Sequence, residues 1–154
     1  MKGKFFFLFF LITISFQGVN LFAQSNSVID TLLNEDKADL GRTAYMVFSA
    51  ASLVDDSAEI PEVLDFLKLN GWKNLEQKAA GDTITLGEYS YLVTKAFDIK
   101  GGIMYRLFPG PRYAARELKY MGFVDNDADP SMPVTGDAVI RILGYVLEWK
   151  EGQK

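Results

Sequence analysis

The chain has 154 residues, 49% of them apolar and 23% charged, with a net charge of −4. That composition is one of a single globular domain, not of a disordered chain. Histidine and cysteine are both absent, which excludes His/Cys zinc sites, disulfides, redox dithiols, haem attachment and any Ser–His or Cys–His relay.

Residues 1–23 have the layout of a secretory signal peptide. Lys2 and Lys4 precede a mostly apolar run from Phe5 to Phe16; Gln17, Gly18 and Asn20 follow, then Ala23 before Gln24. The apolar core is short for a bilayer span, so cleavage after Ala23 is expected. The alternative is an uncleaved anchor from Phe5 to Phe22. With no cysteine after the run, a lipid-anchored lipoprotein is excluded. The expected mature chain, residues 24–154, carries 14 basic against 20 acidic residues. Its net charge of about −6 disfavours nucleic acid or anionic lipid as partners through bulk electrostatics. The expected location is exported: periplasmic, cell-surface or secreted.

The mature sequence reads as helices. A short helix is expected at about Ser27–Asn34, with Val28, Ile29, Leu32 and Leu33 apolar. Asp39 then caps a second helix, whose apolar face holds Met46, Val47, Ala50 and Ala51. Next comes a helix near Pro61–Asn70, with Pro61 in its first turn and Gly71 suited to a left-handed C′ residue. Trp72 follows at C″, where packing on Leu67 accounts for it. Thr85 and Glu88 then form a capping box for a helix near Leu86–Phe97. Residues 98–110 read as a loop packed by Ile103, Met104, Tyr105, Leu107 and Phe108. The last pair is a helix near Arg112–Met121, ended by Gly122 and Phe123, and a helix near Gly136–Trp149 capped by Thr135.

These elements repeat. At an offset of 50, Ile84 and Thr85 fall on Val134 and Thr135; Tyr89, Leu92, Val93, Ala96 and Phe97 fall on Val139, Ile142, Leu143, Val146 and Leu147. At an offset of 51, Leu67, Gly71 and Trp72 fall on Leu118, Gly122 and Phe123. At an offset of 46, Leu40-Gly41 falls on Leu86-Gly87. The expected fold is therefore all-α, three packed helical hairpins over about 27–54, 58–97 and 111–149, with at most very short β pairs in the loops.

A helix ended by Gly, a polar loop, then hydrophobic–Thr and a second amphipathic helix resembles the S-layer homology (SLH) repeat. Ile84-Thr85 and Val134-Thr135 match the start of that family's Ile-Thr-Arg-Ala-Glu motif, and Glu88 matches its Glu. Asp129-Pro130 and Pro133 resemble the approach to it. Leu40, Leu86 and Gly136 stand at the motif Arg, so the resemblance is degenerate. It implies a pseudo-threefold helical bundle and a non-catalytic domain that attaches to cell-wall polysaccharide, with an envelope glycan or envelope protein as partner.

Other residue groups were weighed for chemistry. Asp125, Asp127 and Asp129 hold positions 1, 3 and 5 of a calcium loop, but Pro130 and Gly136 stand where Gly and a bidentate acid belong. A solvated turn is the favoured reading, and a calcium-dependent, dockerin-like interaction module is the alternative function. Asp55, Asp56, Glu59, Glu62 and Asp65 crowd a helix start, where they oppose the helix dipole. Arg106, Arg112, Arg116 and Lys119 cluster with Tyr105, Tyr113 and Tyr120 around the second linker. Solvated helix face is favoured for the cations; Tyr105, Arg106, Arg112, Arg116 and Tyr120 are nonetheless the best candidates for ligand contact. No catalytic residue, metal or cofactor is expected.

Overall fold

The computed structural model describes residues 20–72 and 75–153. These form seven helices: α1 (Asn20–Leu33), α2 (Leu40–Ala50), α3 (Ile60–Leu69), α4 (Leu86–Ala96), α5 (Ile103–Leu107), α6 (Pro111–Tyr120) and α7 (Gly136–Glu151). Extended pairing among the described residues is limited to two isolated antiparallel bridges, Asp39 with Thr83 and Thr85 with Pro133. The protein is predominantly helical. No described helix is long and apolar enough to cross a membrane. The expected leader lies outside the described residues except for its last four, which fall in α1.

Local chemistry sets the helix ends. Asp39, Thr85 and Thr135 have extended backbone, and their side chains accept from the N–H three residues on, at 2.9, 3.2 and 3.2 Å. Glu88 returns the contact at α4, accepting from the Thr85 N–H at 2.8 Å. Each of these bonds satisfies a backbone donor that the first helical turn leaves unpaired. At the other ends, Gly71 and Gly122 take φ of +58° and +77°, angles open to glycine at no Cβ cost. Ser52 and Asp98 do the same job after α2 and α4, at φ 57° and 53°. Leu53 N–H then donates to Phe48 O and Ile99 N–H to Thr94 O, closing each helix with a Schellman turn.

The three residues before the cap residues meet at the centre of the molecule. Ala38 N–H donates to Val134 O at 2.8 Å, Val134 N–H to Ile84 O at 3.1 Å, and Ile84 N–H to Ala38 O at 3.1 Å. All three residues are buried, and the bonds form a closed ring of amides. A second set flanks it: Leu40 N–H to Asp82 O, Leu86 N–H to Met132 O and Gly136 N–H to Glu35 O, at 2.9–3.0 Å. Buried backbone polar groups have to be paired, and irregular chain at the core pairs here only with its counterparts.

Helix packing follows the chain order only in part. The closest pair is α4 with α6; α3 lies on α2, and α1 contacts both α2 and α7. Neither α3 with α4 nor α6 with α7 makes an extended contact. The expected contact between the two helices of a hairpin is thus not made in the second and third hairpins, where α3 packs on α2 and α6 on α4. Trp72 shows why. It sits edge-on against Phe48 of α2 at 5.0 Å between ring centroids, so the aromatic after α3 buries itself on α2. Phe123 lies 6.4 Å from both the Tyr145 and Trp149 rings of α7.

The segment 98–110 also departs from expectation. It contains a one-turn helix, α5, and of the five residues expected to pack the loop only Tyr105 is buried; Ile99, just before them, is buried as well. Ile103, Met104, Leu107 and Phe108 are exposed. A single turn can direct little more than one side chain inward, and Tyr105 takes that place, its hydroxyl 2.8 Å from Thr94 Oγ1.

Candidate functional site

Two open grooves occupy corresponding positions, each where a capped helix start meets the start of the next helix and the loop beyond it. The first, about 540 Å³, is walled by Thr85 and Glu88 of α4, Pro111 and Arg112 of α6, and the Asp129–Ser131 turn. The second, about 440 Å³, is walled by Asp39 and Arg42 of α2, Ile60 of α3, and residues 80–83. The Leu-Gly dipeptide that begins each capped helix makes the floor. Gly87 N–H donates to Pro130 O and Gly41 N–H to Ala80 O, both at 2.8 Å. A Cβ on Gly87 would lie 3.0 Å from Pro130 O, and one on Gly41 2.8 Å from Ile60 Cγ2. At Gly87 the facing atom is loop backbone, and at Gly41 it is the Ile60 side chain of α3.

Their electrostatics differ. In the second groove Arg42 is held by both Glu35 and Asp39, so its cation is neutralised within the protein. Glu35 Oε2 and Arg42 Nε are buried there without a hydrogen-bond partner. In the first groove Glu88 is paired by Lys78, whose Nζ lies 2.8 Å from Oε2 and donates to Thr83 O at 2.9 Å. Arg112 at its rim is exposed, and no carboxylate among the described residues pairs with it. The first groove therefore offers one uncommitted guanidinium beside hydroxyls and backbone.

The acids near the first groove are committed. Asp129 accepts from Ser131 N–H and Oγ at 2.8 Å each, and those bonds hold its carboxyl below the usual range. A glycosidase acid needs the reverse, a carboxyl kept protonated by apolar burial. Asp125 and Asp127 are exposed on the approach to this turn, and no group of three acids able to hold a metal gathers among the described residues. Of the acids before α3, Asp55 accepts from Ser57, which lowers its pKa, and Asp56 accepts from Ser49.

The sequence-derived contact residues separate in space. Arg112 lines the first groove; Arg106, Arg116 and Tyr120 are exposed outside it. Tyr105 is buried, with burial pushing its phenol up, so its hydroxyl bonds Thr94 and not a ligand. The positions of the motif Arg, Leu40, Leu86 and Gly136, are all buried. Gly87 and Ser131 of the groove, and Lys78 that pairs with Glu88, were not expected from the sequence. The recurrence of Leu-Gly at 40–41 and 86–87 pointed to Gly87 alone. Comparison of the chain with protein-family models, with curated proteins and with solved structures finds no match.

Proposed function

We propose that the protein is an exported, non-catalytic cell-envelope binding domain built from three SLH-like helical repeats. The observation that carries this reading is the closed amide ring of Ala38, Ile84 and Val134. It joins the three residues that precede the cap positions of the sequence repeat. Two further features support it: the paired grooves at corresponding repeat boundaries, and Asp39, Thr85 and Thr135 as equivalent caps. The first groove would take an envelope glycan bearing an anionic group. Arg112 supplies a planar cation for that group, and Thr85 and Ser131 supply hydroxyls for the sugar.

Cosedimentation with isolated cell-wall polysaccharide tests this. The full chain should sediment with the wall fraction. Arg112→Ala should weaken binding about tenfold or more, the scale of one lost charge-assisted bond, with little change in melting temperature. No sedimentation, or equal binding by Arg112→Ala, would remove the groove as a glycan site.

A further inference from the structure

We propose that α5 and its flanks form a contact surface for an anionic lipid bilayer. Within six consecutive residues, Ile103 is 75%, Met104 44%, Leu107 63% and Phe108 59% exposed. Ile103 and Leu107 of α5 are four apart and so share one side of the turn; Phe108 is the C-cap residue that follows. Clustered large apolar side chains of this kind mark an interaction surface, unlike the scattered singles of an ordinary exterior.

The turn is anchored from beneath. Tyr105 points the other way, buried and bonded to Thr94. Gly101 and Gly102 lie against Glu117 of α6, and the Phe108 ring lies 6.4 Å from that of Tyr113. Exposed apolar side chains on a short turn, with arginines beside them, can enter the headgroup boundary of a bilayer.

Charge selects the lipid. Residues 98–119 carry five cations, Lys100, Arg106, Arg112, Arg116 and Lys119, against Asp98 and Glu117, in a chain of net charge −4. Lys100 pairs with Asp98 at 2.6 Å, and Lys119 Nζ donates to the Asn126 and Ala128 carbonyls. Arg106, Arg112 and Arg116 are exposed and, among the described residues, pair with no carboxylate. Tyr120, 90% exposed one turn after Arg116, adds an aromatic ring suited to the interface. The acidic remainder of the chain is repelled by an anionic surface, so contact is oriented: the molecule approaches with α5 foremost.

Because the chain lacks cysteine, a single one can be labelled. Leu107→Cys carrying an environment-sensitive fluorophore is mixed with phosphatidylglycerol–phosphatidylcholine vesicles or with phosphatidylcholine alone. Lys68→Cys on α3 serves as the control position, and circular dichroism checks the fold of each variant. The label at 107 should blue-shift with the anionic vesicles only, and the label at 68 should stay silent. Adding Arg106→Gln and Arg116→Gln should weaken the response about tenfold or more, as expected for two lost cations near a charged surface. Silence at 107, equal shifts at 107 and 68, or equal response to uncharged vesicles would overturn the proposal. So would a silent label that responds instead to lipid-free envelope protein, which would make the turn a protein-docking surface.

Discussion

Gly136 and Ser52 show how much backbone geometry rests on single residues. A Cβ at Gly136 would lie 1.6 Å from Leu32 O, because the end of α1 runs against the start of α7. Gly136→Ala must push two backbone segments apart, and it is expected to cost at least about 2 kcal/mol, read as a lower urea midpoint. Ser52 is the opposite case. Its φ of 57° carries a Cβ penalty of roughly 1–2 kcal/mol that glycine avoids. Ser52→Gly should therefore stabilise the protein by up to about 1 kcal/mol after glycine's own entropy cost. If Ser52→Gly lowers the midpoint, the Schellman turn after α2 needs its serine for a reason the turn geometry does not supply.

The three capped helices make a graded series at the scale of elements. Thr135 provides one cap bond to Ala138 N–H and nothing more. Thr85 provides the same bond, and Glu88 answers it while pairing with Lys78. Asp39 is buried, caps Arg42 N–H, and also pairs with the Arg42 guanidinium, which in turn holds Glu35. Thr135→Ala should cost about 1 kcal/mol, the usual value of a single cap. Asp39→Ala should cost more, since it also strips a partner from a half-buried cation network. Thermal melts of the three alanine variants check the order Asp39, Thr85, Thr135 from most to least destabilised.

For the whole molecule, the amide ring and the buried tyrosines set what unfolding must undo. The N–H groups of Ala38, Ile84 and Val134 lie at the centre of the core. Their hydrogen exchange should require global opening and match the stability from denaturant; faster exchange at any one of them would show that the ring opens locally. The phenols of Tyr45, Tyr89, Tyr91 and Tyr105 are all raised, chiefly by burial. The native state therefore keeps protons that the unfolded chain releases above about pH 10. Stability is fully present below that pH and falls as pH rises, by about 1.4 kcal/mol per pH unit for the wholly buried Tyr89. Urea midpoints measured across pH 9–11 should decline, and Tyr89→Phe should flatten the decline. At the acid end Asp55, Asp98 and Asp129 have lowered pKa values, from bonds to Ser57, Lys100 and Ser131. Their contribution is present above the ordinary carboxylate range and is lost as pH falls through the lowered values.

Most helix ends after α1 were legible in the sequence. Helix starts at Leu86 and Gly136, the caps at Asp39, Thr85 and Thr135, and the glycines ending α3 and α6 follow from spacing and backbone chemistry confined to a few neighbouring residues. The recurrence of Leu-Gly was visible in the same way, though not its use as a groove floor. Which helix lies on which was settled by long-range packing. Apolar faces on α2, α3, α4 and α6 carry no address, and the α2–α3 and α4–α6 pairings depend on where Trp72 and the amide ring find partners far along the chain. It also decided the fate of the 98–110 segment. Ile103, Met104, Tyr105, Leu107 and Phe108 were expected to pack a loop, but one helical turn has only one inner side, and of these five Tyr105 alone occupies it.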